Sequence, residues 1–163
     1  MEFPETSKLK DLAASKRKVF KKTAAALKKK KKGLVDRAFH DLHNEAFDEP
    51  VCLSCANCCK TTSPIVLQKD IDRIAKHLKL PAGDFTQKYL RMDEDGDFVF
   101  QKTPCPFLDS DHYCSIYEVR PKACREYPHT NRKNMQGILN LTVRNSEVCP
   151  AVFAILDKLS VMK

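Results

Sequence analysis

The stretch Cys52-Leu53-Ser54-Cys55-Ala56-Asn57-Cys58-Cys59 places four cysteines within eight residues. A Cys-x2-Cys step lets two thiolates turn toward one centre about 2.3 Å from each sulfur, as a tetrahedral zinc site requires. A third cysteine at the same step wraps the loop around that centre. Adjacent Cys58 and Cys59 do not readily aim at one ion, so the pair is expected to serve two neighbouring sites, or one site and its surroundings. A set of buried free thiols is the plain alternative, and such dense clustering argues against it.

Outward from this stretch the chain carries Cys105-Pro106-Phe107, Cys114, Cys124 and Cys149-Pro150, which makes 8 cysteines in 163 residues. Eight thiols divide into two sites of four, the arithmetic of zinc. Three cysteines spaced by two, with a remote Cys-Pro, instead follow the ligand pattern of a 4Fe-4S cubane. Cys52, Cys55 and Cys58 with Cys149-Pro150 or Cys105-Pro106 fit that second pattern and leave four cysteines over. Zn2+ is preferred to iron because only the division into fours uses every cysteine. A zinc ion held by four thiolates has a net negative charge. Arg120 and Arg125, flanking Cys124, are placed to donate to it. A surface salt bridge to Glu118 or Glu126 is the competing role for those arginines.

The ordered set comprises Cys-x2-Cys-x2-Cys-Cys, Cys-Pro-Phe-Leu, Cys-x2-Tyr-x2-Arg-Pro-x2-Cys-Arg-x-Tyr-Pro and a late Cys-Pro. It resembles the YkgJ-type cysteine-cluster family, CxxCxxCC, over about Val51 to Pro150. The resemblance implies zinc or iron chelation by Cys52, Cys55, Cys58, Cys59, Cys105, Cys114, Cys124 and Cys149, and it implies no particular reaction. A similar cluster occurs in flagellin lysine N-methylase, where it is associated with iron–sulfur. Ala56-Asn57 stands where the family often has glycine, and Asn tolerates the left-handed backbone that glycine would supply.

Charge divides the chain differently from the cysteines. Residues 1–37 hold 13 of the 29 Lys and Arg but 4 of the 21 Asp and Glu, a net of +9, and the remainder nets −1. No cysteine lies in this basic segment. From Pro4 to Lys32, Leu9, Leu12, Val19, Phe20, Thr23 and Leu27 recur at helical spacing, which predicts a helix started by Thr6 or Ser7 and ended near Gly33. A second helix is expected over 34–47, burying Val35, Ala38, Phe39, Leu42 and Ala46. The lysine-rich helix is either a solvated face whose few apolar residues pack inward, or a docking element for nucleic acid, acidic lipid or an acidic protein. The expected partition is therefore 1–47, a basic helical segment, and 48–163, the metal-binding domain.

Within the latter, Val66–Leu80 reads as a helix ended by Pro81, and Asp84 as the cap of a short helix carrying Phe85, Tyr89 and Leu90. Asp93-Glu94-Asp95-Gly96-Asp97 reads as a turn, since it lacks the twelfth-position Glu of a calcium loop. Phe98–Gln101 and Ile138–Val143 read as strands by composition, and 150–162 as a helix opened by Pro150. The fold class is α+β: a small, mostly helical, metal-organised body with a short β-hairpin, preceded by a basic helix.

Several function classes drop out. Only 4 glycines are present, none spaced as a phosphate-binding loop. No apolar run approaches the ~20 residues that span a bilayer, and no leader-like apolar segment opens the chain, so the reducing cytoplasm is the expected compartment. His40 and His43 fall three apart on the second helix, and His112 and His129 lie near the cysteines; any of them can ligate metal, while His77 reads as surface. No base, nucleophile and orienting group assemble into a catalytic pattern.

Overall fold

A computed structural model describes residues 1–48 and 55–162. Helices dominate, and the chain forms two compact units: Met1–Cys52 with Pro128–Lys163, and Leu53–Tyr127.

The first unit is all helical. Helix α1 (Thr6–Leu27) buries Leu9, Ala13, Phe20, Ala24 and Leu27, a single stripe at spacings of three, four and seven. Helix α2 (Lys32–Phe47) buries Val35, Phe39, Leu42 and Ala46 in the same way. Two further helices, labelled α7 (Leu139–Asn145) and α8 (Pro150–Val161) by their place in the chain, complete the unit. Proline at its first position opens α8, where no amide partner is needed. Because α1, α2 and α7 all pack against it, α8 is buried nearly all round from Pro150 to Leu156. The Phe20 and Phe153 rings meet edge to face at 5.3 Å.

The α1–α2 corner is fixed by one side chain. Gln136 Nε2 donates to the carbonyls of Leu27 at 2.9 Å and Lys30 at 2.7 Å, satisfying groups that the end of α1 leaves open. Helix α1 therefore stops at Leu27, short of the expected end, and Gly33 lies inside α2. Glu5 precedes α1, and no side chain caps it, so neither Thr6 nor Ser7 plays the expected part.

The second unit packs helix α4 (Gln68–His77) against helix α5 (Ala82–Tyr89) and a two-stranded antiparallel hairpin, β1 (Leu90–Met92) and β2 (Phe98–Phe100). The register pairs Leu90 with Phe100 and Met92 with Phe98. The acidic stretch between the strands is a turn: Asp93 accepts from the amides of Asp95 and Asp97, and Gly96 takes φ +84°. Ile71, Ile74, Phe85, Phe100 and Phe107 form the core.

One expected strand is overturned. Residues 138–143 are helical, comprising the end of a short 3-10 turn (Met135–Ile138) and the start of α7. Leu139, Thr142 and Val143 are buried together. Their spacing of three and four suits one helix face, and that packing outweighs the β-branched composition. The partner of Phe98–Phe100 is instead Leu90–Met92, so Leu90 leaves the short helix in which it was expected and enters the sheet.

Candidate metal centre

Cys52 lies outside the described residues. Cys55 directly precedes Ala56, whose backbone is left-handed at φ +47°. A residue with a side chain pays roughly 1–2 kcal/mol for that conformation. Ala56, not Asn57, takes it, and it turns the chain into helix α3 (Asn57–Thr61), which carries Cys58 and Cys59. Their sulfurs are 4.0 Å apart. The neighbouring Cys58 thiol is the main cause that draws the Cys59 thiol down to about 7, against the opposing effect of burial; its own amide and Lys60 assist.

A main-chain contact ties the next segment to this helix, and the chain beyond it carries two more cysteines. The Cys105 amide donates to the Cys59 carbonyl at 2.8 Å. The loop then folds back, with a β-bridge between Leu108 and Cys114 and the Ser115 amide donating to the Phe107 carbonyl at 2.9 Å. Cys105 and Cys114 thus pack on the core beside Phe107. Past a 3-10 turn (Tyr117–Val119), helix α6 (Lys122–Glu126) delivers Cys124.

The thiols of Cys59, Cys105, Cys114 and Cys124 feel one another. Burial first, and then the charges of Cys59, Cys105 and Cys114, push Cys124 up to about 12. Burial again, with Cys59 and Cys114, pushes Cys105 up to about 11 against the Phe107 amide. Cys114 is raised as well, chiefly by burial. The repulsion among four thiolates is what a bound cation relieves, and four soft sulfurs suit zinc or iron. Among the described residues, no group of three or more His, Cys, Asp or Glu side chains is set up to hold an ion. Ligation by these thiols would also require proton release, since burial raises Cys105, Cys114 and Cys124.

The remaining expected residues are distributed as follows. Cys149 belongs to the first unit, where it precedes α8 and packs, partly buried, against that core. Of the two arginines, Arg120 supplies the positive charge acting on Cys114 and Cys124. Its guanidinium lies 3.7 Å over the Tyr117 ring. Arg125 sits on α6, and Glu126 pairs there with Lys122 at 3.5 Å. His40 and His43 bind the first unit's own segment, at the Arg132 carbonyl and the Thr130 hydroxyl. His112 and His129 occupy left-handed turn positions.

The sequence profile of the CxxCxxCC family, described as "Putative zinc- or iron-chelating domain", matches residues 51–150. The chain belongs to that family. It is also 35% identical over 94 residues to an uncharacterized protein of Methanocaldococcus jannaschii, a match covering 56% of this chain and 50% of that one. The chain thus spans about half the length of this relative. No solved structure matches. Among the described residues, no helix is long and apolar enough to cross a membrane.

Sequence reasoning passed over two residues of this CxxCxxCC chain. Asp70 is 1% exposed and sits on the apolar face of α4 with Ile71 and Ile74. It is paired with Arg73 at 2.6 Å. An acidic residue in register with an apolar stripe was the available signal.

Proposed function

We propose that the chain binds a zinc or iron ion through cysteine thiolates and serves as a structural or accessory metal module. One observation carries this reading: Cys59, Cys105, Cys114 and Cys124, from four separate segments, share a neighbourhood in which charge on Cys59 makes each of the other three harder to charge. Cys55 and Cys58, beside the Ala56 turn, extend the donor set. Cys52 and Cys149 join it on the sequence pattern alone, and all eight fall within the 48–163 region assigned to metal binding. Zn2+ is the preferred ion because two sites of four use every cysteine. Arg120 and Arg125 are the proposed cationic neighbours of the ligand sulfurs. A reducing, cytoplasmic setting accompanies this reading, since ligand thiols must escape oxidation.

The bound ion would supply crosslinking of the loops that carry the cysteines. The chain's own residues hold the sulfurs near one another, bury them and neutralise part of their charge. The spacing of Cys52, Cys55 and Cys58 supports a second reading, a 4Fe-4S protein that passes electrons or supports a partner enzyme. Anaerobic purification with metal analysis, acid-labile sulfide and a visible spectrum tests both. Stoichiometric zinc without sulfide supports the first; brown colour with sulfide replaces it with the second. A chain with neither metal, which takes up none on titration, ends the proposal.

A further inference from the structure

We propose that Asp70 and Arg73 are positioning residues for the thiol cluster: together they fix the main chain that delivers Cys124. The inference rests on reading Cys124 as a metal ligand. Asp70 Oδ2 accepts the Leu67 amide at 3.1 Å, a bond local to the start of α4. Its Oδ1 accepts Arg73 Nη2 at 2.6 Å and, from fifty-two residues further along the chain, the Lys122 amide at 3.2 Å. Arg73 Nη2 also donates to the Arg120 carbonyl at 2.9 Å, and Nε reaches the Val119 carbonyl at 3.4 Å.

One ion pair, its carboxylate buried and its guanidinium partly exposed, thus satisfies three main-chain groups between residues 119 and 122, immediately ahead of Cys124. A pair that served only α4 would need neither burial nor this reach. Helix α6 has five residues and no side-chain cap of its own, too short to hold its place unaided. Its first amide is satisfied by Asp70, and Cys124 follows two residues later. Arg120, whose charge acts on Cys114 and Cys124, is held at its carbonyl by the same guanidinium. Lysine at position 73 keeps the charge but cannot serve the carboxylate and both carbonyls in the geometry of the guanidinium fork.

The test is Co2+ titration of the full chain under anaerobic, reducing conditions, reading affinity and the near-ultraviolet thiolate-to-cobalt band. The wild-type chain is expected to show that band. Asp70→Asn should weaken Co2+ binding about 10- to 100-fold, the usual effect of losing an outer partner of a metal ligand. It should also lower the band as removal of one thiolate does. Arg73→Lys should shift both readings in the same direction. Adding Cys124→Ser to Asp70→Asn should cost little more than Cys124→Ser alone, because both act through one sulfur. A wild-type chain that binds no Co2+ overturns the metal reading itself. Binding by the wild type with unchanged affinity and band in Asp70→Asn overturns the positioning role alone. If circular dichroism shows that Asp70→Asn does not fold, Arg73→Lys decides: unchanged affinity and full additivity with Cys124→Ser overturn the proposal.

Discussion

In the first unit, side chains bury one another: Leu9, Phe20, Phe39, Leu139, Ile155 and Leu156 are all fully enclosed, around a helix that is apolar on nearly every side. In the second, the enclosed apolar set is shorter, and Cys105 and Cys114 sit against it where aliphatic side chains would otherwise pack. The first has what a small unit needs to hold together by burial alone. The second places at its margin thiols that burial holds protonated, so charging them costs energy that only a bound cation would offset. The same chain thus contains a part enclosed by hydrophobic burial and a part whose stability, on the proposed reading, would depend on what its thiols bind.

Metal removal is the largest expected perturbation of that contrast. Structural zinc contributes on the order of 10 kcal/mol in small cysteine sites. Strong chelator at neutral pH should therefore strip hydrogen-exchange protection from residues 53–127 while α1, α2 and α8 keep theirs. Equal loss in both units, or none after confirmed metal loss, would break the comparison. Metal uptake should also strengthen as pH rises toward 8, because Cys105 and Cys124 must give up protons that burial holds to about 11 and about 12.

The reverse perturbation comes next in size. Phe20→Ala removes a fully buried ring that meets Phe153, and the loss should be roughly 3–5 kcal/mol, read as a lower melting point of the helical unit. Metal content should stay unchanged. Loss of metal in this variant would mean that the thiol cluster depends on the helical core.

The two units were also unequally legible in the sequence. The stripes of α1 and α2 and the Pro150 start of α8 are local signals, and the helices form where those signals lie. The cysteine spacing identified the family without any structure. Residues 138–143 were misread because their composition suits strands, while the spacing of Leu139 and Val143 suits the helix that tertiary packing selects. Asp70 and Arg73 escaped notice because their purpose is visible only once Lys122 is brought beside them. Charge suggested a separable basic segment, yet Leu9, Phe20 and Leu27 are buried in the same core as Phe153 and Leu156. Deleting residues 1–32 would therefore remove core as well as charge. Replacing exposed Lys18, Lys21 and Lys22 with Gln tests the charge alone, and should leave the unfolding free energy within about 0.5 kcal/mol of wild type.

The smallest expected effect is a pH dependence confined to the helical unit. His43 shares a 2.7 Å hydrogen bond with the fully buried hydroxyl of Thr130 and meets the Phe47 ring at a tilt, 4.6 Å between centroids. Burial, and secondarily the charge of His40, lowers its pKa below 6.5. The unfolded chain therefore takes up a proton at this residue more readily than the folded one. Above 6.5 the difference has no effect on stability; below it, protonation favours unfolding progressively, until the folded-state value is passed. Asp36 acts in a lower window. Burial alone would raise its pKa, but the Met135 and Asn134 amides, with His40 and Lys32, bring it below 3.8, so its stabilising contribution is lost only as pH falls beneath that value. The two residues tie the 130–135 segment to α2, and the first acid-induced loosening there should follow His43. Melting of the helical unit between pH 7 and pH 5 should show a modest fall that His43→Gln abolishes, with the His43 ring protons titrating below 6.5 by NMR. A ring that titrates above 6.5 would reverse the sign and place the stabilising form of His43 on the protonated side.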